Sequence, residues 1–146
     1  MPFPAKFSSR WPLTAAKAAE ASAMEKDHEA YLEAFREADS EKIEKFCYFP
    51  LAYAGSSKVR SSSKYPFDMK KLQAKTGFAK AESRETILAI DDKKCHLLIE
   101  ARRLKEDGSL AQLNSAAYIL LKENGVWKTA AFSGILTDAA DATPEE

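Results

Sequence analysis

This sequence predicts an α+β fold in which the helices come first and the strands last. Residues 15–38 contain no Gly or Pro, and Met24, His28, Tyr31, Leu32 and Phe35 recur at spacings of three and four. That spacing draws one apolar stripe along a long amphipathic helix. From residue 82 onward, four segments of strand character are separated only by DDKK, KEDGS and KENG. Short connectors of this kind join neighbouring strands into an antiparallel meander. Helices that precede such a meander pack on one face of its sheet.

The elements follow in order. Residues 1–12 carry prolines at 2, 4 and 12 and show no periodicity, so an irregular arm is expected over 1–13. Phe3, Phe7 or Trp11 would pack it against the body or a partner. Thr14 is placed to cap the long helix. Asp39 and Ser40, followed by Glu41, cap a short second helix whose inner face is Ile43, Phe46 and Cys47. Pro50 ends that helix, and LAYAG becomes a short extended segment. Phe46, Tyr48, Phe49 and Tyr53 make this stretch an aromatic wall. A brief edge strand is expected around Val59, and a third helix near 67–75, ended by Gly77. The four strands are then ESRETILAI (82–90), HLLIEARRL (96–104), LNSAAYILL (113–121) and VWKTAAFSGIL (126–136). Asn124-Gly125 and Asp107-Gly108 are hairpin signals. Residues 14–136 form a single domain, and 137–146 read as a flexible acidic tail.

Composition narrows the function classes. The 22 Lys and Arg balance 22 Asp and Glu with no basic stripe, so no nucleic-acid partner is expected. No run reaches the ~20 apolar residues of a membrane span, and the N-terminus lacks the apolar core of a signal peptide. A cytoplasmic location is expected. Cys47 and Cys95 read as buried thiols of a reducing compartment. His28 and His96 have no ligand at short spacing, the five glycines are isolated, and Ser61–Ser63 lack a nucleophile context. No metal and no cofactor are expected. HLLIEARRL and AAYILL carry apolar residues at both even and odd positions, so both sheet faces should be covered. One cover is the helices, and the other is a second copy of the chain, giving a homodimer through the sheet.

The element order, together with AYLEAFREADSEKIEKF and GVWKTAAFSGI, resembles the nuclear transport factor 2-like superfamily over roughly residues 20–136. Within it, the chain is similar to the SnoaL-like and ketosteroid-isomerase-like branch. The resemblance implies a cone-shaped α+β barrel that binds small apolar molecules inside the cone and pairs through its sheet. Steroid isomerases of this fold read roughly Y-x-x-A-L-N-x-G-D on the first helix, and Tyr31, Ala34, Phe35, Ala38 and Asp39 match in step. The resemblance therefore makes Tyr31 a hydrogen-bond donor to a substrate oxyanion. The same register puts the family's general-base aspartate at Ala54 or Gly55, and no carboxylate lies between Phe46 and Ser63. The isomerase mechanism as such is not expected.

Tyr31 and Glu100 are the catalytic candidates. Glu100 sits among apolar residues in LLIEAR, where desolvation would raise its pKa; its other reading is a pair with Arg102 or a lysine. His96, Glu100 and Arg102 share strand parity and would line one wall, unless His96 stands at an exposed strand end. His28 is either a packed core histidine or a polar partner of Tyr31. Tyr53, Tyr118 and Trp127 are further ligand-binding candidates, with Trp127 also readable as core, and Asn114 and Ser133 join them. The expected function is binding of a small apolar ligand in the cone interior. The alternative is a cofactor-free isomerase, cyclase or hydratase, and the third reading is a protein-docking module.

Overall fold

The computed structural model describes residues 5–68, 70–71 and 80–138. Helix α1 spans Ala15–Arg36. Thr14 is extended, and its Oγ1 accepts the Lys17 N–H, which satisfies one of the open donors of the first turn. The stripe predicted from spacing is buried: Met24, His28, Tyr31, Leu32 and Phe35 all face inward. Helix α2 spans Ser40–Glu44, with the Asp39 side chain accepting from the Lys42 N–H. Between the helices the chain reverses at Ala38, whose φ is 55°.

Seven strands follow the order β1 (Ala5–Ser9), β2 (Cys47–Ala54), β3 (Val59–Ser62), β4 (Lys80–Ile90), β5 (Lys94–Leu104), β6 (Leu110–Glu123) and β7 (Val126–Asp138). They form one mixed, open sheet ordered β1-β4-β5-β6-β7-β2-β3. The meander from β4 to β7 is antiparallel throughout, as the turn signals predict. Asn124 and Gly125 take φ of 52° and 78°, the paired left-handed geometry of a two-residue hairpin loop. Each strand runs two or more residues beyond its apolar segment at one end or the other. Cross-strand backbone pairing continues past the point where side chains stop alternating.

The structure corrects three expectations. The arm is not wholly irregular: β1 lies parallel to β4, from Ala5 opposite Ser83 to Ser9 opposite Ile87. Arg10 N–H continues the pairing onto the Ile87 carbonyl at 2.9 Å. Backbone pairing to an open sheet edge holds this strand, and its side chains carry no periodic signal. Second, β2 begins at Cys47 rather than at Leu51. It runs parallel to β7, and its register slips between Cys47 and Ala52, so Pro50 falls where no regular ladder N–H is needed. Third, β5 alternates: Cys95, Leu97, Ile99, Ala101 and Arg103 are buried, whereas His96, Glu100 and Arg102 are exposed. The third helix expected over 67–75 falls mostly outside the described residues, as do residues 139–146 of the tail.

Both helices pack on the inner face of the sheet. Asp27 Oδ2 accepts the Trp127 backbone N–H at 2.9 Å, and Lys122 Nζ meets Glu20 at 2.7 Å, which tie α1 to the β6–β7 hairpin. Two core clusters result. One gathers Met24, Ile87, Leu97, Leu120 and Trp127, and the other Tyr31, Phe35, Ile43, Leu51, Tyr65 and Phe132. Tyr118 packs against both. Among the described residues, no helix is long and apolar enough to cross a membrane.

Candidate functional site

The second cluster is not filled to its centre. Inward rows of β6 and β7 place Asn114 opposite Leu136, Ala116 opposite Gly134, and Tyr118 opposite Phe132. The small pair Ala116–Gly134 leaves a hollow of about 100 Å³. Rings of Phe35, Tyr53, Tyr65, Phe67, Tyr118 and Phe132 surround it. Tyr118 stacks on Phe132 with centroids 5.3 Å apart, and Tyr53 meets Phe132 at 5.0 Å. Half-exposed Leu136 stands at the rim, where the hollow reaches the surface. A Cβ built on Gly134 would come within 3.0 Å of Asn114 Oδ1, so a side chain there enters the hollow.

Polar groups enter this apolar setting at a few points. Tyr31 OH lies 3.1 Å from Tyr65 OH and 3.5 Å from Tyr118 OH. Burial is the largest influence raising all three phenols above their ordinary range, so they stay protonated at neutral pH and can donate hydrogen bonds. Arg103 lines the hollow while only 8% exposed. Its Nη1 donates to Gln112 Oε1 at 2.8 Å, and its Cζ sits 5.6 Å from the Phe35 ring centroid. Burial lowers its pKa. Such a guanidinium is nevertheless charged at neutral pH.

Two buried titratable groups flank the hydroxyl cluster. His28 is 1% exposed and stacks on Tyr31 at 5.4 Å. Neither ring nitrogen has a hydrogen-bond partner among the described residues, and burial pulls its pKa down to about 3. Glu85, inward on β4, is 0% exposed. Ser83 Oγ donates to its carboxylate at 3.0 Å. Burial pushes its pKa up to about 7; the Ser83 hydrogen bond works against that rise, and Glu29 adds to it.

No family model matches the sequence, and no curated protein matches it either. Solved structures do match. A candidate ketosteroid isomerase from Shewanella frigidimarina superposes with a TM-score of 0.60 at 13% identity, covering 77% of this chain and 94% of its own. A candidate scytalone dehydratase from Novosphingobium aromaticivorans gives 0.61 at 13% identity, with 91% and 94% covered. An NTF2-like protein of unknown function from Shewanella baltica gives 0.57 at 15% identity, with 88% and 100% covered. The chain has the nuclear transport factor 2-like fold. Its open, mixed sheet under two helices is the cone-shaped α+β arrangement that the sequence resemblance implies.

On this NTF2-like frame, the predicted residues separate. Tyr53 and Tyr118 line the hollow, Tyr31 bonds to two phenols at its wall, and His28 stacks behind Tyr31. Asn114 also lines it. Trp127 is fully buried in the other cluster, as core. Ser133 donates to the Ala54 carbonyl at 2.8 Å. Glu100, His96 and Arg102 are on the outer face, away from Tyr31. Arg102 lies 4.0 Å from Glu82 across the β4–β5 ladder, and Glu100 faces Arg84 in register. Glu82, Arg84, Glu100 and Arg102, though not His96, border a broad outer-face groove of about 780 Å³ that also touches Asn114, Ile135 and Thr137. Tyr31 and Glu100 therefore cannot act on one ligand.

Sequence reasoning does not single out Arg103, Glu85 or Tyr65 as site residues, and it reads the pair Arg102–Arg103 as solvated surface, whereas Arg103 is buried. Strand parity ties the first two to the buried rows only once one residue of each row has been placed. If Leu97 and Ile99 face the helices, Arg103 faces them as well, and Glu85 shares the row of Ile87.

Proposed function

We propose that the protein binds a small apolar molecule in the hollow between α1 and the β6–β7 wall. The observation carrying this reading is a cavity walled by six aromatic rings, an apolar enclosure with a few placed polar groups as ligand sites have. Calorimetric titration with benzyl alcohol tests it. Gly134→Val, which fills the hollow at the cost of moving the Asn114 amide, should weaken binding at least about 10-fold, with an unchanged circular dichroism spectrum. Equal affinity in the variant would contradict the reading.

A second reading, proton-transfer catalysis, is favoured by the three clustered phenols. Donors fixed in a dry site stabilise an oxygen that gains negative charge, and Glu85 is an inner-face carboxyl with a pKa near neutrality. Glu85 would take an α-proton from a ketone while the phenols hold the enolate oxygen. Exchange of acetophenone methyl protons in deuterated buffer, followed by proton NMR, measures this step. The protein should accelerate exchange and Glu85→Gln should remove the acceleration; no acceleration over buffer would end the catalytic reading.

The outer sheet face belongs to a second copy in this proposal. Ile119 and Ile135 are exposed there, Ile135 by 74%. The rows Glu82–Arg102 and Arg84–Glu100 put both signs on one patch, which a two-fold axis can match to itself. Sedimentation should show a dimer that Ile135→Glu splits, and a monomer at high concentration would contradict the pairing. The two buried, unpaired thiols suit a reducing cytoplasm.

A further inference from the structure

We propose that the ring of Tyr118 limits the hollow to single-ring ligands, standing as the wall between it and the buried groups His28 and Glu85. The inference rests on the binding reading above and names the class of molecule the site takes. Volume sets the class. A hollow of about 100 Å³ is smaller than the roughly 150 Å³ apolar cavity that binds benzene elsewhere. Small side-chain movements admit one ring, and a fused pair of rings needs a wall to give way.

Tyr118 is the wall whose far side is polar. Of the six rings around the hollow, it is the one that packs against both core clusters. On one side it stacks on Phe132, with centroids 5.3 Å apart. On the other it meets the His28 ring edge-on at 5.8 Å. Its hydroxyl lies 3.5 Å from Tyr31 OH, long for a bond between hydroxyls, so packing holds the ring more than this contact does.

Behind the ring, both His28 nitrogens are buried without a partner among the described residues, and Glu85 is fully buried. Register places Glu85 in the row that floors the hollow: it faces Ile99, Ile99 faces Ala116, and Ala116 faces Gly134. Directly opposed residues stand about 5 Å apart, so Glu85 is two strand spacings from Ala116. Phe7, opposite Glu85 on β1, meets His28 edge-on at 6.2 Å, which sets the imidazole over the same end of the row. The Tyr118 ring thus keeps an apolar guest off a carboxyl and an imidazole that it cannot satisfy. Without that ring, the hollow gains a gap the size of a second guest ring, facing Phe132 as Tyr118 does.

The test compares benzyl alcohol with naphthylmethanol on the full chain by calorimetry, two alcohols that differ by one fused ring. In the wild type, benzyl alcohol should bind at least about 10-fold more tightly. Tyr118→Ala should reverse that order by raising the affinity for naphthylmethanol at least about 10-fold. Tyr118→Phe keeps the ring and loses the hydroxyl, so the one-ring preference should survive; its loss there would assign the selectivity to the hydroxyl and overturn the wall. Leu120→Ala, a truncation in the adjoining cluster, should leave the order unchanged, and a reversal there would mark general loosening and overturn it too. Naphthylmethanol binding the wild type as tightly as benzyl alcohol would overturn this inference and leave the binding reading standing. Binding of neither alcohol would overturn both. Acetophenone exchange in the wild type that Glu85→Gln removes would also overturn it, since the guest would then reach Glu85 past Tyr118. Tyr118→Leu carries the same expectation where Tyr118→Ala does not fold, and the wild-type comparison stands without either.

Discussion

Glu85→Gln should make the protein more stable at about pH 8 by about 3 kcal/mol and leave it nearly unchanged at about pH 4. The folded carboxyl titrates at about 7 rather than 4.5 because burial disfavours its charge. Above the folded value it must ionise inside the core, within the influence of Glu29. The folded state thus binds the proton more tightly than the unfolded one. Its stabilising effect is complete below pH 4.5 and is lost as pH rises toward 7. Glutamine keeps the shape and can still accept from Ser83 Oγ, yet it never ionises. Urea denaturation at the two pH values measures the difference, and equal gains at both would contradict the assignment.

His28→Met should remove an acid sensitivity of about 5 kcal/mol. The folded imidazole titrates at about 3 rather than 6.5, because burial disfavours its cation. Here the sign is opposite. The contribution is complete above pH 6.5 and is lost as pH falls toward 3. Around the ring lie Phe7, Tyr31 and Tyr118, and none of these carries a charge at low pH. Between pH 4.5 and 6.5 the two groups cancel, since Glu85 holds one extra proton in the folded state and His28 holds one fewer. The wild type should therefore show a flat stretch in this window. Glu85→Gln should turn it into a rise with pH, and His28→Met into a fall, each of about 1.4 kcal/mol per pH unit. Parallel profiles in all three proteins would refute the account of both residues.

Much of this arrangement was legible in the chain, and the failures have physical causes. The α1 stripe was readable because a helix covered on one face repeats its apolar residues every three or four positions. The hairpins were readable because Asn124-Gly125 and Asp107-Gly108 supply backbone conformations that few other pairs accept. Parity in β5 was not readable. HLLIEARRL places leucines on both faces, so Glu100 and Arg102 stood as candidates in place of Arg103 until the helices fixed which row is inside. In β4 the register shift between Ile87 and Ala89 interrupts the alternation that would have pointed to Glu85. Tyr65 follows a run of serines and lysines with no periodic neighbour. It is held by its backbone N–H donating to Glu44 Oε2 at 2.8 Å, a contact from a helix 21 residues earlier. The site is thus built mostly where tertiary pairing, rather than local pattern, decides which way a side chain points.

In the proposed reading, ligands enter the inner hollow and not the outer groove. Backbone amide NMR during titration with benzyl alcohol tests it most directly. Binding in the hollow gives saturable shifts centred on Ala116, Tyr118, Phe132 and Gly134, which line it and not the groove. Shifts centred instead on Glu82, Arg84, Glu100 and Ile135, around the outer groove, would contradict that reading.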